Sequence, residues 1–319
     1  MAHFAEISRA QPSCLLFLLD QSGSMGEDIA PGTTKAGFLA DAVNRSLMDL
    51  VNRSTRAGAV VNDLDVGVFA YAGNSVGPAF GGALAGSHLC EIGALACSPA
   101  RVEKRRKRVP DGAGGLVETT VDFPVWFEPQ PGGGTPMCAA LRMAGDMLAD
   151  WCEEHPHAFP PTLLHVTDGE ATDGTPAEVA AAAGHVMAQG TTEGRVVLMN
   201  LHLSGSLAEP VRFPDEEAAR LDVHGRLLFA ISSILPPQAR RRATEEGLAV
   251  AEQSRALVYN ARMPDVVAFF RVGTALRRAS GAQWVKTTAS SLRGAPTWLP
   301  PGLAAAALAE PAAPPPRPV

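Results

Sequence analysis

A doubly wound, mostly parallel α/β sheet with an inserted β-hairpin is the fold class predicted here, on three observations. Apolar runs of strand length recur at 14–19, 64–70, 162–167 and 196–203. Between them lie stretches whose apolar residues repeat at three and four positions, the spacing of a helix laid on a sheet. Two of the runs end in acidic or hydroxyl residues, at the strand ends where ligands gather in open α/β sheets. Strands alternating with helices argue for a mostly parallel sheet covered on both faces.

Cys14-Leu15-Leu16-Phe17-Leu18-Leu19 forms the first strand and gives way at Asp20 to a polar loop. A helix is expected over about 36–53, with Phe38, Leu39, Val43, Leu47, Leu50 and Val51 on its apolar face. Residues 64–70 alternate into a second strand, ended by Tyr71-Ala72-Gly73-Asn74. Residues 73–100 are rich in Ala, Gly and Ser and show no clear period. Segments 101–109 and 116–127 face each other across the Gly-rich 110–115, which reads as a hairpin. The basic run 103–108 is expected to form a solvated strand face that pairs across the hairpin with Glu118 and Asp122. Pro124 would mark an edge or a strand end.

A helix is expected from 136 to about 150, with Met137, Leu141, Ala144, Leu148 and Trp151 on one side. Strand 162–167 follows. Thr175-Pro176-Ala177-Glu178 then combines a capping box with proline at the first helical position. After strand 196–203, residues 215–250 read as helical, with Leu227, Leu228, Ile231 and Ile234 as the apolar set. A last strand at 256–260 and a last helix at 264–278 complete the pattern. Residues 1–278 are therefore expected to form the α/β domain, with an insertion at about 73–130. The Ala/Pro-rich tail, 279–319, is expected to be disordered.

Composition narrows the function. The chain has 319 residues, 46% of them hydrophobic, ample for a sizeable core. Its net charge of −6, from 27 basic against 33 acidic residues, argues against general nucleic-acid binding, which favours basic domains. No apolar run reaches the roughly 18 residues that span a bilayer, and the first residues lack a signal-like arrangement. Five cysteines without a CxxC pair suggest reduced thiols and a cytoplasmic protein.

The chemistry concentrates at Asp20-Gln21-Ser22-Gly23-Ser24, directly after the first strand. An acid and two hydroxyls at this spacing point three hard oxygens at one spot, suited to Mg²⁺, Mn²⁺ or Ca²⁺ rather than zinc. Gly132-Gly133-Gly134-Thr135-Pro136 brings another hydroxyl to a helix start, and Asp168-Gly169-Glu170 follows the strand 162–167. Asp20 and Asp168 brought close would repel unless one takes a proton or a cation binds between them. Two carboxylates balance a divalent ion and leave it short of one further anionic oxygen. Each residue also has a plain structural role to play: Ser22, Ser24 or Thr135 as helix caps, Asp168 as an Asx-turn residue. Glu170 and Asp173 read as solvated loop acids, and His165 as a packed core histidine.

Asp20-x-Ser22-x-Ser24, Thr135 in GGGTPM and Asp168 in TDGEATD together resemble the metal-ion-dependent adhesion site of von Willebrand factor type A domains, in their bacterial form. The similarity covers 10–205 and extends to about 278, with the insertion at 73–130 as a departure from compact members. The resemblance implies a Rossmann-like sheet with an Mg²⁺ site, Mn²⁺ or Ca²⁺ being alternatives, formed by Asp20, Ser22, Ser24, Thr135 and Asp168. It implies that the hydroxyls contact the ion directly, the two acids act largely through water or hydrogen bonds, and a partner protein's Asp or Glu completes the shell. Such modules often serve bacterial multiprotein stress or signalling assemblies. An acid at a strand end also opens haloacid-dehalogenase-type phosphatases, but those need a second acid where Ser22 stands. With no phosphate-binding G-x-x-x-x-G-K-[ST] loop and no H-E-x-x-H pair, the expectation is a non-enzymatic binder. A metal-dependent phosphatase or hydrolase and a scaffold with a structural metal are the alternatives.

Overall fold

The computed structural model describes residues 12–110, 115–204, 208–217 and 220–276. Strand β1, Ser13–Asp20, is buried along its whole length, and its side chains sort by parity. Leu15, Phe17 and Leu19 enter one apolar cluster, Cys14, Leu16 and Leu18 the other. That is the alternation of a strand covered on both faces.

Helix α1, Lys35–Ser54, leads to β2, Leu64–Ala72, which carries short strands β3, Ser75–Pro78, and β4, Cys90–Glu91. Then come α2, Ile92–Cys97, and the hairpin of β5, Arg101–Pro110, and β6, Leu116–Val125. Helix α3, Met137–Glu154, precedes β7, Thr162–Thr167, and α4, Pro176–Ala188, precedes β8, Val197–Leu203. The described chain ends with β9, Val211–Arg212, α5, Val223–Ala230, α6, Pro237–Glu245, β10, Leu257–Ala261, and α7, Met263–Gly273.

The eight-stranded sheet runs β9-β10-β8-β7-β1-β2-β3, with β4 also paired to β2. The five central strands are parallel, whereas β3, β4 and β9 pair antiparallel at the two margins. Helices α1, α2, α6 and α7 supply one apolar cluster, and α3, α4 and α5 the other. This is a Rossmann-like, doubly wound, mostly parallel α/β sheet with an inserted hairpin. From β1 the chain moves outward to β2 on one side, and from β7 it moves outward through β8 and β10 on the other. Strand order therefore reverses between β1 and β7, and their carboxyl ends flank the crevice where such sheets bind ligands.

The hairpin pairs Lys104 opposite Asp122 and Arg108 opposite Glu118, as expected from charge. Lys104 bonds Asp122, and Arg106 lies 3.7 Å from Glu118. Arg105 turns to the opposite face, its guanidinium 3.5 Å above the Phe123 ring and ion-paired with Asp41 of α1. Asn44, buried on α1, fastens the returning chain. Its Oδ1 accepts from the amides of Trp126 and Phe127 at 2.8 and 3.1 Å, and its Nδ2 donates to the Phe127 carbonyl at 2.8 Å.

Several elements depart from the expectation. Residues 215–250 hold two short helices, not one long helical stretch, because Pro236 and Pro237 cannot continue a preceding helix. Ser232 instead turns inward to accept from Asn200, and Ile234, expected in the apolar set, is 44% exposed. Helix α3 runs past residue 150 to Glu154, placing Trp151 and Cys152 on its buried side. The last helix ends at Gly273 and tightens into a 3₁₀ turn, Thr274–Leu276. The tail at 279–319, the final residues of the helix expected to reach 278, and 111–114 of the Gly-rich turn lie outside the described residues.

Candidate metal centre

Strand β1 delivers Asp20 to the crevice with its side chain enclosed, the residue being fully buried. The Ser22 amide donates to Asp20 Oδ1 at 2.7 Å, and Thr167 Oγ1 at the end of β7 donates to Oδ2 at 2.8 Å. The carboxylate is thus fixed from its own following loop and from the neighbouring strand β7. A 3₁₀ turn, Gly23–Gly26, follows, and its Met25 is fully buried, pinning the loop to the core. Ser22 stands at the start of that turn without capping it. Its hydroxyl lies 3.1 Å from that of Ser24, and Ser24 Oγ donates to Asp168 Oδ1 at 2.7 Å. Asp20, Ser22, Ser24 and Asp168 therefore meet, across a sequence separation that only the parallel pairing of β1 and β7 closes.

The Gly-rich loop before α3 is stitched to the same place through its backbone. The Gly132 amide donates to the Gln21 carbonyl at 2.8 Å, and the Gly23 amide to the Gly133 carbonyl at 2.9 Å. Gly133 has a φ of +71°, and a Cβ there would lie 2.6 Å from Gly73 Cα, so the turn after β2 packs directly on this loop. Only glycine satisfies both demands. Thr135, next along, is buried, and its amide and carbonyl are both held by Thr172, at 2.8 and 2.9 Å. It does not cap α3: the cap position is Pro136, with no side-chain bond. That work falls to Asp173, whose carboxylate accepts from the amides of Cys138 and Ala139 at 3.0 and 2.8 Å. Asp173 is exposed, as expected of a loop acid, but it also caps a helix remote in sequence.

Asp168 emerges from β7 with a fully buried side chain. Its second oxygen is taken by a residue the sequence reading passed over. Lys35 Nζ lies 2.9 Å from Asp168 Oδ2 and 2.8 Å from Glu27 Oε2, and the Lys35 side chain is only 8% exposed. Two carboxylates alone were expected to balance a divalent ion; this ammonium offsets one of them. A faint signal existed in the sequence. Lys35 is the first residue of α1, after the Thr34 cap, where a cation opposes the helix dipole.

Burial raises the Asp20 carboxyl to about 6, against the hydrogen bonds from Ser22 and Thr167 that favour its ionised form. Burial alone would lower the Lys35 ammonium, but Glu27 and Asp168 together hold it above its ordinary value. Among the described residues no group of three or more His, Cys, Asp or Glu side chains is arranged to hold a metal, so any ion here draws on hydroxyls. The donor set fits a hard divalent cation: two carboxylates and the Ser22 and Ser24 hydroxyls meet at a strand-end crevice, with Thr135 on the adjoining loop. A carboxyl raised only to about 6 would lose its proton to solvent as a divalent ion took its place.

One further motif resolves without chemistry. Against the expectation that the chain holds no G-x-S-x-G elbow, Gly73-Asn74-Ser75-Val76-Gly77 has the spacing of a hydrolase nucleophile elbow. That device needs a strand, a sharp turn and a helix. Here Ser75 is exposed on β3, paired opposite Ala72 of β2, and no helix follows the turn.

No protein-family model and no curated protein sequence matches the chain. Among solved structures it is similar to a von Willebrand factor type A protein from Catenulispora acidiphila, with TM-score 0.45 and 16% identity over 83% of this chain and 42% of that one. It is also similar to the pilus adhesin SpaC from Lactobacillus rhamnosus GG, with TM-score 0.44 and 15% identity over 83% and 31%. A third similar structure is the manganese-loaded TRAP protein of Plasmodium vivax, with TM-score 0.33 and 14% identity over 83% and 74%. The chain spans less than half the length of the first two. All three scores fall below 0.5, and the functional reading rests on this chain's own residues.

Proposed function

We propose that this chain is a non-enzymatic protein-binding module of the von Willebrand factor type A kind, in which a divalent cation, Mg²⁺ by preference, accepts a carboxylate from a partner protein. The convergence of Asp20, Ser22, Ser24 and Asp168 at the reversal of strand order carries this reading. Those four residues and Thr135 would hold the ion, and the ion would supply an electrophilic contact for an Asp or Glu of the partner. Hard oxygen donors, three of them neutral hydroxyls, favour Mg²⁺, with Mn²⁺ and Ca²⁺ as the other fitting ions. Five unpaired cysteines support a reducing, cytoplasmic setting, compatible with a bacterial stress or signalling assembly.

Calorimetric titration of Mg²⁺ and Mn²⁺ into the wild-type chain and into Asp20→Ala tests the site. Saturable binding is expected in the first and a loss of at least about tenfold in affinity in the second, since one buried acid is removed. Equal heats in both chains would refute the metal site. Partners captured with Mg²⁺ and released by EDTA support the module; partners retained in EDTA favour a scaffold with a structural metal.

A further inference from the structure

Fully enclosed lysines are rare unless paired, and Lys35 is enclosed at the one place where a second cation is expected. Its ammonium makes the only bond described for Asp168 Oδ2, at 2.9 Å, while Ser24 holds Oδ1 at 2.7 Å. Its other partner, Glu27, is 66% exposed and stands on the solvent side of the pair. The Lys35 amide also donates to the Glu27 carbonyl at 2.9 Å, so the two residues are tied by backbone as well as side chain. A lysine at the first position of α1 opposes the helix dipole and loses hydration on burial. Nothing in the packing of α1 requires a charge there, since its apolar face is complete with Leu39, Val43, Leu47, Leu50 and Val51.

We infer that Lys35 is a built-in cation of this rim, holding Asp168 when no divalent ion is bound and weakening the affinity with which such an ion is taken up. The inference rests on the metal-site reading above. An empty site holding two enclosed carboxylates would repel itself; the ammonium removes that repulsion and keeps the loops assembled. When a divalent ion arrives, it and Lys35 compete for Asp168, and Glu27 offers the ammonium a second carboxylate toward solvent. The same positive charge leaves the loaded rim more electropositive than two carboxylates alone would, favouring an acidic partner. Lys35 is a positioning residue that acts through Asp168.

The sign of one measurement separates this role from a merely structural one. Mg²⁺ and Mn²⁺ affinities are measured by calorimetry in wild type, Lys35→Met, Lys35→Arg and Asp20→Ala. Lys35→Met is expected to bind at least about tenfold more tightly than wild type, because a like charge beside the ion is removed. Lys35→Arg, which keeps the charge, is expected to stay within about threefold of wild type. In EDTA, Lys35→Met is expected to melt several degrees below wild type, and saturating Mg²⁺ to close that gap. Weaker or unchanged binding by Lys35→Met, with wild type still binding and Asp20→Ala not, would overturn the inference while the metal site stands. Absence of binding in every chain would overturn both.

Discussion

His165 shows how a single enclosed ring couples the sheet to pH. It lies in β7, fully buried, with Nε2 2.7 Å from Tyr71 Oη and Nδ1 2.8 Å from Asn200 Oδ1. Asn200 Nδ2 donates to Ser232 Oγ at 2.9 Å, so its Oδ1 faces the imidazole and accepts from Nδ1–H, leaving Nε2 to accept from Tyr71. Burial lowers this histidine to about 4. The unfolded chain, titrating near 6.5, then binds more protons than the folded one between those values, so stability is full above about 6.5 and is lost as pH falls toward 4. That loss is on the order of 2–3 kcal/mol. His202 is lowered to about 4 as well, and Asp20, raised to about 6, acts in the opposite direction. The comparison that isolates the ring is melting temperature against pH in wild type and His165→Gln. A shallower acid limb is expected in the variant; superimposable limbs would count against the assignment. At this level the placement of Asp20, Ser22, Ser24 and Asp168 was legible, because strand ends and a spacing of two fix where their oxygens go. Lys35 was not, since a lysine at a helix start looks like any solvated residue until the fold encloses it.

Among the elements, α1 does more than cover the sheet. Asn44 closes the amides of Trp126 and Phe127 and the carbonyl of Phe127 in one buried side chain, joining the helix to the chain that returns from the hairpin. Asn44→Ala would strand those groups without water, a cost of about 2–4 kcal/mol, to be read as a shift in the urea midpoint at unchanged slope. A loss below about 1 kcal/mol would mean that the returning chain finds other partners. Elements with strong local punctuation were legible to the residue: strand 162–167, and the capping box of Thr175 and Glu178 that opens α4. The stretch 73–100 was not, because its short strands and the six-residue α2 depend on β2 and α1 for their burial rather than on a period of their own. The break at Pro236-Pro237 was visible in the residues, but the apolar spacing of 227–234 outweighed it in the reading; in the structure proline chemistry wins.

In the molecule as a whole, the hairpin is expected to be separable from the candidate metal centre. The hairpin forms its own two-stranded sheet, and its anchors, Phe123, Val125, Trp126 and Phe127, are buried at its base, while Leu116 and Val117 are 65% and 52% exposed farther out. Replacing 104–121 with a short Gly-Ser turn gives up the Arg105 contacts with Phe123 and Asp41, about 1 kcal/mol. The truncated chain is expected to melt within a few degrees of wild type and to bind Mg²⁺ with unchanged affinity, as calorimetry would record. A tenfold loss of metal affinity would tie the insertion to the rim.

The margins of the main sheet carry a consequence for the protein in concentrated solution. Strands β3, β4 and β9 are four, two and two residues long, and each runs against the direction of the parallel ladder it borders. A second molecule approaching edge-on finds a stub too short to template a strand, so the described residues offer polymerisation no primer at either end of the sheet. The hairpin's β5 edge is open, but Lys104, Arg106, Lys107 and Arg108 stand exposed along it. Like charges meeting like charges there act as a chain terminator, one that high salt would silence.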